Sequence, residues 1–230
     1  MIKCEVLNTY GFMEAVHGMR NPMNSWDRMD SQMYKDSEWE DEKAVFLPGD
    51  NDLRLMKNLF KAGTEHKKYL RMINVYMDIT APLYWWKEFD TYKVGTVANS
   101  CSTMHKIHDK KFTLDDFSHE HLHDSFITDE GYEYPVEVEG IYLASEDVLD
   151  ITIRALNEYR DMYLKTKNKD YWWQMIQLLP SSYNQTRTVM MNYEVVARII
   201  EQRKNHKLDE WNDFIDVLSD LPLIDDLLAE

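Results

Sequence analysis

Apolar and polar residues alternate over Ile2-Lys3-Cys4-Glu5-Val6-Leu7, the period of a strand with one face turned inward. Gly11 to Met19 has the spacing of a short helix, and Asn21-Pro22 ends it, because the residue before a proline is steered out of the α region. Asn24 to Lys43 is polar, charged and rich in Trp and Met without a clean period, which predicts a loop with short helical turns. Leu47-Pro48-Gly49-Asp50 is a turn signal. Asp50 or Asn51 then caps a helix that carries Leu53, Leu55, Met56, Leu59 and Phe60 on one apolar face.

Alternation returns at Tyr69, where Tyr69, Arg71, Ile73, Val75, Met77 and Ile79 share one face of a long strand that Thr80-Ala81-Pro82 ends. An aromatic-rich helix follows (Leu83, Tyr84, Trp85, Trp86, Phe89), and Val94 to Ser102 reads as loop or extended chain. Ser145 is the expected N-cap of the next helix, with Glu146 and Asp147 in the first turn, where the helix dipole favours acids. Leu149, Ile153, Leu156 and Tyr163 continue it at helical spacing. Tyr171 to Leu179 is a further helix, stopped by Pro180. Gln185 to Gln202 is expected to be the longest helix, with Val189, Tyr193, Val196 and Ile200 on one side, and Leu208 to Leu218 closes the chain as an amphipathic helix. There is no internal repeat.

Composition limits what these elements can build. The chain has 230 residues, 44% hydrophobic and 13% aromatic, which is enough to bury a sizeable core. Seven glycines and six prolines leave little for flexible linkers, so residues 1–230 are read as one domain. The formal charge of −15 repels nucleic-acid phosphates, which argues against a nucleic-acid partner but is compatible with a small anion in a local cationic pocket. Asp36 to Glu42 is acidic, and Asp209 to Glu230 holds eight acids and no Lys or Arg; both read as a solvated face or tail. Met1 to Tyr10 is too short and polar for a signal peptide, and no run of 18 apolar residues predicts a membrane span. The expectation is a reducing cytoplasm with Cys4 and Cys101 unpaired.

Several side chains carry candidate chemistry. His119, His121 and His123 alternate as metal ligands on a strand would, and His105 and His108 have an i, i+3 spacing. The Ser, Asp and Glu around the first set favour a polar surface loop, and no metal site is assigned. Glycine-rich phosphate cradles are absent, so a nucleotide would have to be held by side chains and helix ends. Asn192 and Arg203 stand eleven residues apart, about three turns along one helix face, with His206 close to that line. An amide, a guanidinium and an imidazole suit recognition of a phosphate and a base. On these residues alone a solvated outer face is favoured.

Two segments resemble the flavin-dependent thymidylate synthases, the thymidylate-synthase-complementing family. From Gly63 to about Lys106 the chain is similar to that family's strand ending in Ala-Pro, followed by a helix and the motif R-H-R-x-x-S-x-N-E-x-S-x-R-Y; Ala81-Pro82 and the helix Leu83 to Asp90 match in place. From Leu178 to about Trp211, Leu-Leu-Pro-Ser-Ser-Tyr-Asn is followed by Asn192, Arg203 and the run to His206, without a gap. The departures are as specific. The motif's Arg-His-Arg falls on Thr91-Tyr92-Lys93, its Ser on Thr96 and, after one inserted residue, its Asn on Asn99. Its Glu falls on Ser100, its second Ser on Ser102 and its closing Arg-Tyr on Met104-His105. Glu88 stands where the family has Gln, and Ile176 where it has Arg. Lys93, Lys106, Arg187 and Arg203 are the available replacements for the motif's lost cations.

The resemblance implies an α+β fold of the thymidylate-synthase-complementing type, with a central antiparallel or mixed sheet flanked by helices and a helical C-terminal part. It implies a homotetramer with sites at subunit interfaces and a small-molecule nucleotide as ligand. The reaction it implies is methylation of dUMP at C5, using a methylene-folate carbon, a hydride from reduced FAD, and NADPH. Under it Arg203 is the catalytic residue that clamps or polarises the nucleotide. Asn99, Asn192 and Lys93 hold the cofactor, and Thr96, Ser102, Arg187 and Arg203 hold the substrate. The alternative is a relative that kept the fold but lost flavin and serves as a nucleotide-binding or interaction protein.

Overall fold

In the computed structural model, which describes residues 2–35, 44–123 and 135–229, the opening alternation forms β1 (Lys3–Tyr10), and Gly11 leads into α1 (Phe12–Arg20). The acidic run Asp36 to Glu42 lies outside the described residues, as does the end of the expected loop up to Lys43. What is described of that loop contains a 3-10 turn (Trp26–Arg28) and β2 (Gln32–Tyr34), which pairs antiparallel with β3 (Val45–Leu47), Gln32 opposite Leu47. Next come α2 (Asp50–Lys61), β4 (Asn74–Pro82), α3 (Leu83–Phe89), β5 (Thr96–Ser100) and a single turn, α4 (Thr103–Lys106). The hairpin β6 (Val136–Val138) and β7 (Ile141–Leu143) precedes α5 (Ser145–Thr166) and α6 (Lys169–Leu178). The chain ends with β8 (Asn184–Asn192), α7 (Tyr193–Arg203), α8 (Asp209–Ser219) and α9 (Ile224–Leu228).

The main sheet has the order β1-β4-β8-β5. Thr188 donates to Asp78 at 2.5 Å and Thr80 meets Thr186 at 2.7 Å, so β8 descends as β4 ascends. The same reversal relates β8 to β5, where Asn192 N–H donates to Gly95 O (3.0 Å) and Cys101 N–H to Thr186 O (2.9 Å). The sheet is antiparallel, as the resemblance implies.

The described residues fall into two compact units, each assembled from separate stretches of chain. One gathers Thr80–Phe89 and Ser100–Arg187. Its helical part packs Leu149, Ile153 and Leu156 of α5 and Met175 of α6 with Ile107, Phe112 and Phe117. The other gathers Ile2–Ile79, Asp90–Asn99 and Thr188–Glu230. Its core takes the inward positions of the central strands, Val75, Met77 and Ile79 of β4 and Val189 and Met191 of β8, all fully buried. The acidic C-terminal stretch is a solvated face, not a loose tail: Trp211, Phe214 and Leu218 are buried along α8, whereas Asp213, Asp216 and Asp220 are exposed.

Two expectations are corrected by burial. The strand predicted from Tyr69 begins only at Asn74, because Lys67–Met72 is a 3-10 helix. Tyr69 and Leu70 are both buried, which adjacent residues of a strand with one inner face cannot be; the Tyr69 hydroxyl donates to Met56 O at 3.0 Å. The helix expected over Gln185 to Gln202 is a strand to Asn192 and a helix only from Tyr193. Val189, Met191 and Tyr193 are all buried, the period of two that the 189, 193, 196, 200 spacing concealed. The longest described helix is α5, with 22 residues.

Candidate functional site

The turn from β8 into α7 is built by Asn192. Its carboxamide oxygen accepts the Val195 N–H at 3.1 Å and caps the helix, and its own N–H donates to Gly95 O. Gly95 has φ of +84°, and a Cβ there would lie 2.3 Å from Asn192 Nδ2, so only glycine permits the approach. With its oxygen engaged in the cap, Asn192 keeps its amide N–H donors for whatever lies beyond the helix start.

Asn192 lines a cavity of about 410 Å³, together with Phe60 of α2, Lys67, Leu70 and Arg71 of the 3-10 helix, Val94, and Glu194, Ala197, Arg198 and Glu201 of α7. Arg71 grips Glu194 with two hydrogen bonds, 2.6 and 3.1 Å, and this pairing pushes its already high pKa further up. Lys67 Nζ sits 3.9 Å above the Phe60 ring, and the Arg198 guanidinium lies 5.5 Å from the Tyr92 ring. Neither Lys67 nor Arg198 forms an ion pair among the described residues. In a chain of charge −15, two cations at one cavity without carboxylate partners are an unusual arrangement.

Arg203 ends α7, roughly 16 Å along the helix from its cap. It is not among the residues lining this cavity, and it is not a solvated ridge either. Its Nε donates to the Tyr92 hydroxyl at 3.0 Å, and Nη1 lies 3.1 Å from His206 Nε2. The face of Trp211 stands 4.4 Å from its guanidinium carbon. The helical spacing of Asn192 and Arg203 therefore puts them at opposite ends of α7, not side by side in this cavity.

The remaining residues singled out by sequence are dispersed. Lys93 and Asn99 are exposed, and Thr96 Oγ1 is buried with no hydrogen-bond partner among the described residues. In the other unit, Ser102 Oγ accepts the His105 N–H as the cap of α4, and Lys106 pairs with Asp109. Arg187 Nε donates to Gln185 Oε1 at 2.9 Å, and its guanidinium lies 4.1 Å from the Trp86 ring. His119 to His123 is not a strand, and His119 Nδ1 contacts Phe117 O. Among the described residues no three His, Cys, Asp or Glu gather as a metal site. Both cysteines are unpaired. Burial, with the Asp213 charge added, pushes the Cys4 thiol up to about 12, while Cys101 is exposed.

Sequence reasoning missed Lys67, Arg71 and Arg198. Reading the chain from Tyr69 as a strand set Arg71 on one face with Ile73 and Val75, and reading Asn192 as mid-helix hid its cap. Asn192 followed by Glu194 is the signal that would have marked the helix start.

No family model and no curated protein matches the sequence. Solved structures do. Thymidylate synthase ThyX from Helicobacter pylori, with FAD and dUMP, covers 100% of this chain and 98% of its own at a TM-score of 0.64 and 17% identity. The UMP/dUMP methylase PolB from Streptomyces cacaoi, bound with 5-Br UMP, covers 95% of this chain and 87% of its own at a TM-score of 0.56 and 12% identity. No described helix is long and apolar enough to cross a membrane. At these identities the likeness is one of fold, and it agrees with the segments around Ala81-Pro82 and Asn192: the chain has the fold of the flavin-dependent thymidylate synthases.

Proposed function

We propose that this protein is a divergent flavin-dependent-thymidylate-synthase-like protein that binds a pyrimidine deoxynucleotide, dUMP or a close relative. The observation that carries the reading is the pair Lys67 and Arg198, cations without carboxylate partners at a cavity that Asn192 also lines. About 410 Å³ is within the range of small-ligand sites, and the mixture of apolar Phe60, Leu70, Val94 and Ala197 with cations and an amide suits a ring bearing a phosphate. The neighbours described with FAD and with dUMP or a bromo-nucleotide support the same ligand class.

The donors also fit a flavin nucleotide. With Lys67 and Arg198 on the substrate's phosphate, the Asn192 amide N–H would orient the flavin ring, with Lys93 and Asn99 as the further contacts the resemblance implies. When bound, FAD would supply the hydride for methylation of the pyrimidine at C5, the carbon coming from a methylene-folate and the reducing power from NADPH. The chain's own work is to bind, orient and shield. Arg203 as the residue that polarises the pyrimidine, and Thr96, Ser102 and Arg187 as further substrate contacts, are roles that the resemblance implies and that this cavity does not itself supply. The homotetramer implied by the resemblance belongs to the same proposal.

A second reading is favoured by one feature. Thr91-Tyr92-Lys93 retains one cation where the family motif has Arg-His-Arg, which suits a nucleotide-binding relative without flavin. One experiment separates the two: the purified protein's visible spectrum, with calorimetric titration of FAD and dUMP. A yellow protein that binds dUMP supports the first reading, and a colourless one that binds dUMP but not FAD supports the second. A protein that binds neither overturns both.

A further inference from the structure

We infer that Tyr92, at the place of the family motif's histidine, is a positioning residue whose ring holds the guanidinium of Arg198, which lines the cavity, beside that of Arg203, which lies outside it, so that an anionic nucleotide reaching past the cavity's edge meets both. The inference rests on the nucleotide reading above. Simple loss of the motif would leave an unpacked side chain, as it does at exposed Lys93. Tyr92 is instead 4% exposed, and its hydroxyl oxygen accepts the Arg203 Nε–H at 3.0 Å.

Its ring is shared. The guanidinium carbons of Arg203 and Arg198 each lie 5.5 Å from its centroid, and Trp211, fully buried, stands edge-on to it at 6.1 Å. Cation–π attraction at this range holds both arginines against one aromatic wall. Arg203 gains more: Tyr92 fixes Nε, His206 fixes Nη1 and Trp211 covers a face. A guanidinium stays charged at any working pH, so its value to a ligand depends on where its planar fork is aimed. Preorganisation removes the ordering cost that a free arginine side chain would meet on binding. The sequence change that looks like decay thus replaces an imidazole by a buried phenol that serves two cations.

The test compares dUMP with deoxyuridine, which lacks the phosphate, by calorimetric titration of the full chain. Loosened packing alone would weaken both ligands alike, whereas misaimed guanidiniums weaken the charged one selectively. In Tyr92→Phe, which keeps the ring, the preference for dUMP over deoxyuridine falls roughly tenfold, the scale of a lost hydrogen bond to a charged group. Arg198→Gln, an exposed substitution that leaves the core intact, lowers the same preference. An unchanged preference in Tyr92→Phe overturns the inference and leaves the nucleotide reading standing. A wild-type protein that binds no dUMP overturns both.

Discussion

The buried ion pair of Arg20 and Asp52 offers the sharpest physical test of how the cavity's framework is held. Asp52 is fully buried and Arg20 is 4% exposed. One carboxylate oxygen takes the Arg20 Nε and Nη2 at 2.6 Å each, and the other takes the Asp30 and Ser31 N–H groups at 2.9 and 2.8 Å. Asp30 reciprocates by accepting the Asn51 and Asp52 N–H groups at 2.8 and 3.0 Å, which caps α2 from outside the helix. That explains why α2 starts without the expected Asp50 or Asn51 cap. Asp52→Asn keeps the shape, removes the charge opposite Arg20, and turns an amide N–H toward donors. Stranding one member of a buried pair costs about 3–5 kcal/mol, and for a chain of this size that lowers the melting temperature by about 6–20 °C. The pH dependence gives an independent sign. Burial opposes ionisation of Asp52, but hydrogen bonds from Ser31, Asp30 and Arg20 outweigh it and hold the carboxyl below its usual value. A depressed folded-state pKa means that the stabilisation is complete above the unfolded value, about 3.9, and is lost as pH falls through the folded one. Urea titrations of wild type and Asp52→Asn should therefore differ most near neutral pH and converge in acid. A gap under about 1 kcal/mol at pH 7, the size of a surface ion pair, would refute the reasoning, as would a gap that stays constant into acid.

Gly95→Ala should destabilise by about 2–3 kcal/mol, from the left-handed backbone and the displaced Asn192 cap, and should weaken dUMP binding as well; a denaturant melt and a titration on the same sample read both. Iodoacetamide at mildly alkaline pH should label exposed Cys101 and spare Cys4, whose thiol lies at about 12, as peptide mass spectrometry can show.

How much of this was legible in the sequence depended on whether one period dominated. The alternation ending at Ala81-Pro82 and the helical spacing of Leu149, Ile153 and Leu156 each pointed to one element, and the structure has it, the strand from Asn74 onward and the helix throughout. The Val189, Tyr193, Val196, Ile200 series was compatible with two, because a strand of period two running into a helix can mimic a single helix. Local signals failed wherever the partner was distant in sequence. The cap of α2 comes from Asp30, and the partner of Arg203 comes from Tyr92, 111 residues away. The cavity was invisible for the same reason, since Phe60, Lys67, Val94 and Arg198 meet only when the antiparallel sheet brings β8 and the start of α7 beside Gly95.

The acid excess, which weighed against a nucleic-acid partner at the level of composition while leaving room for a small anion, has little force at the cavity. At physiological salt the screening length is about 8 Å, so charges well beyond that distance hardly act on a bound phosphate. What counts is the lining: Lys67, Arg71 and Arg198 against Glu194 and Glu201. Arg71 and Glu194 largely cancel each other through their two hydrogen bonds. Lys67 and Arg198 then oppose Glu201 alone. A unit negative charge about 4 Å from a cation gains about 4 kcal/mol at an effective dielectric of 20. Two such contacts outweigh one acid at similar range, and Asn192 adds a neutral donor with no desolvation of charge. A strongly acidic surface and an anion-binding cavity are thus compatible in one chain, because the surface field is short-ranged and the cavity's own balance is positive.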